Sequence, residues 1–129
     1  MSIDAYFREI AQLIVTCPII ESSNVTYDRR ARYVGYIRGD LFFRDGSMLH
    51  VREYVDTEDT AERLLYVYQY MNDTQVLVFR YDNTGHHKKL NLPTYPHHKH
   101  VGSEDVVESS TAPSLADVLD EVMSTIELP

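Results

Sequence analysis

Apolar positions recur with one period at the two ends of the chain and with another between them. Over residues 2–16, Ile3, Phe7, Ile10 and Ile14 fall at i, i+4, i+7 and i+11, with Tyr6 and Leu13 widening the stripe. This spacing predicts an amphipathic helix. Ser2 stands where its hydroxyl can cap the first turn. Pro18 ends the run, because the residue before a proline is driven out of the helical region. A second stripe over 113–127 is marked by Leu115, Val118, Leu119, Val122, Met123 and Ile126, with Pro113 just inside its start.

Between Ile19 and Asp82 the period is two, the mark of strands with one face buried. Strands are expected over 19–28 (with a polar centre, ESSN), 32–44, 47–55, 63–71 and 74–82. Gly35 and Gly39 suggest bulges or strong twist in the second strand. Asp45-Gly46 predicts a tight hairpin with positive φ at both turn positions, and Asn72-Asp73 a second tight turn. Hairpin following hairpin predicts an antiparallel meander. The expected fold is α+β, one domain over 1–129: a twisted sheet of four to five strands with an N-terminal and a C-terminal helix packed on one face. After Asp82 the alternation lapses. Pro93 and Pro96 break the stretch 83–102, which reads as a His-rich loop or edge strand, and 102–112 reads as a polar linker.

That loop changes the picture. It holds His86, His87, His97, His98 and His100, five of the six histidines, and all three lysines (Lys88, Lys89, Lys99), with no acid after Asp82. Histidine's ordinary pKa lies closest to neutrality, so such a cluster can trade protons or bind metal near pH 7. The formal net charge of −8 seems to exclude polyanion binding. Residues 103–129, however, carry seven acids and no base, and without them the chain is nearly neutral. No apolar run is long enough to span a membrane, no secretory leader is visible, and Cys17 stands alone, all of which points to the cytoplasm.

Alternation also assigns faces. Leu49, Val51, Glu53 and Val55 share one face of their strand, while Met48, His50, Arg52 and Tyr54 share the other. Glu53 and Arg80 each end an otherwise apolar row, so each is expected at a rim or in an ion pair, one candidate pair being the two together. Three readings of the histidines stand side by side. They could hold a metal, with His86, His97, His98 and His100 as ligands, although no cysteine accompanies them at zinc-site spacing. They could perform proton transfer on an RNA phosphodiester, a reaction that needs a base, an acid and cations around the phosphorane but no cofactor. Or the loop could bind a protein or RNA without cutting it. Tyr81 and Tyr95 offer surfaces for base stacking, and Lys88, Lys89, Arg52 and Glu53 further polar contacts. No Gly-rich phosphate loop of the GxxxxGK[ST] kind is present.

The blocks RYDNTGHH and PHHKH, following the alternating strand YVYQYMND, resemble the TumE family of toxins from prokaryotic toxin–antitoxin systems. The likeness covers about residues 25–102, and its pattern falls on Arg80, Tyr81, Asp82, His86, Pro96, His98, Lys99 and His100. A histidine often found in the preceding strand of that family is replaced here by Gln69. The resemblance implies a toxin with a helix-turn-helix antitoxin as partner, and its arrangement of elements resembles the ribonuclease fold of RelE-like toxins. Taken together, the expectation is a metal-independent endoribonuclease without cofactor. His98 and His100 would serve as base and acid with His86 in reserve, Arg80 and Lys99 would stabilise phosphate, and Asp82 would orient its neighbours. The alternatives are a non-catalytic protein- or RNA-binding module and a toxin that transfers a nucleotide. A homodimer through an exposed edge strand is compatible with all three.

Overall fold

The computed structural model describes residues 1–84, 96–103 and 106–126, the side chain of Ser109 excepted. Helix α1 spans Ile3–Thr16, strands β1 to β5 span Ile20–Arg29, Val34–Phe43, Met48–Asp56, Glu62–Met71 and Leu77–Asp82, and two short strands, β6 (His98–Val101) and β7 (Val107–Ser109), precede helix α2 (Leu115–Thr125). All strand pairs are antiparallel and the order across the sheet is the order along the chain, β1 to β7.

The α+β class, the meander and the two terminal helices are as the periodicities predict; the strand number is not. Among the described residues the sheet has seven strands rather than four or five. The two additional strands lie where prolines and polar residues masked the signal. Pro96 stands two residues before β6, outside the ladder, so it removes no hydrogen bond from it. His98 and His100 then alternate with Lys99 and Val101 as any strand would, but an imidazole does not register as an apolar position.

Local chemistry fixes the ends. Ser2 caps α1 by accepting from the Ala5 amide, as its position predicts. In α2 the cap is Ser114, in a capping box with Asp117, and Pro113 lies just outside the helix rather than inside it. At the β2–β3 hairpin only Gly46 has positive φ, so the turn is not the doubly left-handed kind; Asp45 instead accepts from the Ser47 amide at 2.9 Å. The β4–β5 turn runs on through Gln75, at φ 62°, where the Asn72 side chain receives the Thr74 and Val76 amides. Gly35 marks no bulge: a Cβ there would lie 2.5 Å from Phe7 and 2.7 Å from Ile3, so its absence lets α1 settle on β2.

Both helices cover the same face of the sheet. From α1 come Ile3, Tyr6, Ile10 and Ile14, and from α2 Leu115, Val118, Leu119 and Val122, all buried against a floor that includes Leu41, Leu49, Val51, Tyr68 and Phe79. Each aliphatic side chain so buried contributes about 1.5–3 kcal/mol. Among the described residues the opposite face carries no helix, and there the polar side chains of β1 to β6 gather.

Candidate functional site

Strand register lines up side chains from distant parts of the chain. On the helix-free face one row of Cα partners runs Thr26, Arg38, Arg52, Val67, Asp82, His98. The adjacent row runs Asn24, Asp40, His50, Gln69, Arg80, His100. A third, shorter row brings Asp28 beside Tyr36 and Tyr36 beside Tyr54. Because strands β2 to β6 pair in chain order, side chains as far apart as Tyr36 and His100, 64 positions along the chain, share one surface. From β2 to β6 it spans four strand spacings, about 19 Å.

At the β5–β6 end lies a compact charged cluster. Asp82, 1% exposed, is its centre. Its Oδ1 accepts the Thr84 amide at 3.1 Å and the Thr84 hydroxyl at 2.9 Å, and lies 2.7 Å from His98 Nε2. Its Oδ2 accepts from Arg80 Nε at 2.9 Å and lies 3.5 Å from His100 Nε2. His98 Nδ1 is 2.8 Å from the Pro96 carbonyl, which can only accept, so that nitrogen carries the hydrogen and Nε2 is the one turned to the carboxylate. The two imidazoles meet edge to face at 5.0 Å. Arg80 reaches out of the cluster toward the open face, where Nη1 donates to Gln69 Oε1 at 3.1 Å. A small cavity of about 180 Å³ beside it is lined by His50, Arg52, Val67, Gln69 and Arg80.

One ligand atom each from Asp82, His98 and His100 lie within 4.8 Å of one another, a two-histidine, one-carboxylate set that a divalent cation could draw together. The backbone carbonyl on His98 Nδ1 is the kind of outer contact that orients a ligating imidazole. Equally, a carboxylate held by two N–H or O–H donors and an arginine is a stiff positioning group for proton-carrying rings.

The other predicted residues sort by face. Lys99 and Tyr81, partners across β5–β6, point to the helix side. There the Tyr81 hydroxyl donates to Glu121 at 2.6 Å, while Lys99 Nζ lies 3.3 Å from Glu121 and 4.7 Å from the Tyr81 ring. They lock α2 onto the sheet, on the side away from Arg80. His97 also faces that way, its Nδ1 2.8 Å from the Tyr66 hydroxyl, so it does not join His98 and His100 as a metal ligand. His86, Lys88, Lys89 and Tyr95 lie outside the described residues.

Glu53 does not pair with Arg80. It is buried beneath the helices, where the hydroxyls of Tyr6 and Tyr68 donate to it, the latter at 2.7 Å. Arg63 completes this second cluster: Nη1 contacts the Tyr68 hydroxyl at 3.0 Å and the Pro113 carbonyl at 2.6 Å, and Nη2 the Ala112 carbonyl at 2.9 Å. Burial pushes the Glu53 carboxyl up despite those hydroxyl donors and the arginine. Burial likewise pushes the Tyr66 phenol up to about 12 and lowers His97, with Arg63 and His98 lowering it further. This cluster fastens α1, the sheet and the lead-in to α2 together.

Residues that single-strand reading left out are Arg38, Asp40 and Tyr36 from β2 and the functional weight of His50. His50 Nδ1 lies 2.8 Å from Asp40 Oδ1. The signal available was the alternation of β3, which puts His50, Arg52 and Tyr54 on one face; the register with β2 and β4 supplies the rest.

No curated protein and no solved structure matches the chain. A family model described as Toxin TumE matches residues 10–128, nearly the whole length, and takes in every described strand and the Asp82 cluster with Arg80 and His100. The chain therefore belongs to the Toxin TumE family, and it is a toxin.

Proposed function

We propose that this toxin is an endoribonuclease whose histidines move protons at an RNA phosphodiester without a metal. The observation that carries the reading is the position of Arg80. It is the one member of the Asp82–His98–His100 cluster that also reaches the open, arginine-bearing face, through Gln69 and the small cavity beside it. A phosphate drawn to Arg80 comes to rest next to His100, Arg80's register partner.

Division of labour follows from burial. His98 and Asp82 are both 1% exposed, so they act as positioning residues: His98 braces the carboxylate, and the carboxylate fixes Arg80 and His100. His100, 5% exposed and paired across the strands with Arg80, takes the 2′-hydroxyl proton and returns one to the leaving 5′-oxygen. Arg80 stabilises the charge that builds on the phosphorane oxygens. Lys99, on the far face, has no part in this scheme. Membership of a toxin family implies an antitoxin in general. A helix-turn-helix protein that covers the open face is the partner this reading expects.

The convergence of Asp82, His98 and His100 favours one second reading, cleavage by a cation held there. A single experiment separates the two. Purified toxin is incubated with total RNA before and after dialysis against EDTA, beside His100→Asn and Arg80→Gln. Cleavage that survives EDTA and is lost in both variants supports metal-free proton transfer. Cleavage abolished by EDTA and restored by Zn²⁺ or Mn²⁺ transfers the chemistry to the metal reading. Growth arrest on expression with RNA left intact would sink both, and would point to nucleotide transfer or to binding of a target without cleavage.

A further inference from the structure

The far end of the open face, over β1–β3, has no role in that chemistry, yet it is built at a cost. Arg38 and Arg52 are direct partners across β2–β3 and both side chains are exposed. Like charges directly opposite one another destabilise a sheet, and among the described residues neither forms an ion pair. Next to them the Tyr36 and Tyr54 rings stack at 4.5 Å, 19° from parallel, and Tyr36 remains 39% exposed. The Arg30 guanidinium lies 5.4 Å from the Tyr36 centroid and is held only by an exposed contact to Asp28 at 3.0 Å. Arg30, Tyr36, Arg38 and Arg52, with Asp28, line a groove of about 550 Å³.

We propose that this groove is a subsite for one nucleotide of single-stranded RNA flanking the cleaved bond, an inference that rests on the ribonuclease reading. The phosphate sits between Arg38 and Arg52 and relieves their repulsion. The base stacks on the open side of Tyr36, and Arg30, which covers that side in the free protein, swings over the base. Tyr54 backs the platform so that the ring is already oriented before RNA arrives. A duplex cannot use the site, since its bases are stacked on one another and unavailable to a tyrosine. The same face then reads RNA at one end and cuts it at the other, with Arg52 lining both cavities.

The test uses a fluorescein-labelled U12 strand made entirely of 2′-O-methyl nucleotides, which cannot be cut through the 2′-oxygen, and measures anisotropy over a range of salt concentrations. Tyr36→Leu, a change at an exposed position, should weaken binding about tenfold or more with the salt slope unchanged. Arg38→Gln/Arg52→Gln should flatten the log–log salt slope by about 0.7, the loss of one single-strand phosphate contact. Circular dichroism establishes that each variant is folded. Wild-type binding by Tyr36→Leu, or equal competition from duplex RNA, would overturn the subsite. The two proposals fail separately. Tyr36-dependent binding by a protein that leaves unmodified RNA intact keeps the subsite and removes the nuclease, whereas cleavage indifferent to Tyr36 and to both arginines does the reverse.

Discussion

Gln69 Oε1 accepts a hydrogen bond from Arg80 Nη1 at 3.1 Å, while the other end of the same guanidinium donates from Nε to Asp82 at 2.9 Å. The arginine is held at two points on one face of neighbouring strands. Gln69 therefore occupies a position where a side chain directly governs the presentation of Arg80.

Removing that contact should show in activity more than in stability. A hydrogen bond to a charged group contributes about 1.5 kcal/mol, so Gln69→Ala is expected to slow RNA cleavage roughly tenfold. The melting temperature should stay within a few degrees of wild type, because Gln69 is only partly buried. Single-turnover cleavage beside a thermal melt checks this. An unchanged rate would mean that Arg80 is held in place without Gln69.

His98→Ala has a different signature. The ring is 1% exposed and 2.7 Å from a buried carboxylate, so truncation leaves a void and removes one of the contacts around Asp82. A loss of about 3 kcal/mol in urea unfolding is expected. His98→Ala/Asp82→Asn should recover at least 1 kcal/mol of it through the coupling of neighbouring charges. Strict additivity of the two single changes would show that the pair does not interact.

Glu53 carries a pH dependence of definite sign. Burial raises its carboxyl above the ordinary value of 4.5, so the folded protein binds that proton more tightly than the unfolded chain does. Its contribution to stability is fully present below 4.5 and falls as pH rises through the folded value. Glu53→Gln lacks this dependence. The stability of Glu53→Gln relative to wild type should therefore climb as pH is raised from 4.5 toward neutrality. Thermal melts at a series of pH values test the slope, and a flat difference would remove the assignment.

Arg63 ties β4 to the lead-in of α2, through the carbonyls of Ala112, a residue at φ 54°, and Pro113. With Arg63→Met the guanidinium contacts are lost while most of the packing stem remains. The expected cost is about 2 kcal/mol, with hydrogen exchange in α2 accelerating more than in β2 or β3. Uniform acceleration across the chain would show that the tie is not local.

How far this was legible in the sequence depends on which forces set each feature. The helices and first five strands follow from apolar spacing, because burial of Ile10 or Val51 leaves a periodic trace. β6 and β7 were hidden because their ladder is made by His98, His100 and a three-residue strand, which leave no apolar trace. The family blocks named Arg80, Asp82, His98 and His100, and the pairing of β5 with β6 brings these four together. Lys99 came along by adjacency, yet strand alternation turns it to the opposite face. Glu53 was visible as a charge in an apolar row, but its partners Tyr6 and Tyr68 lie 47 and 15 residues away and only packing reveals them. The open face itself is a property of register, which no single strand contains.

The sheet order that matches chain order has a consequence for the cell that makes this toxin. On the ribosome the strands emerge in the sequence in which they pair, so β1 to β5 can form as a meander while β6 is still unmade. His98 and His100 enter last, after Arg80 and Asp82 are already in place. At synthesis rates of roughly 5–20 residues per second, the nascent chain lacks both imidazoles of the Asp82 cluster for seconds after Asp82 itself has been made. On the ribonuclease reading, a stalled translation product that ends before β6 lacks both histidines of the Asp82 cluster and should leave RNA uncut.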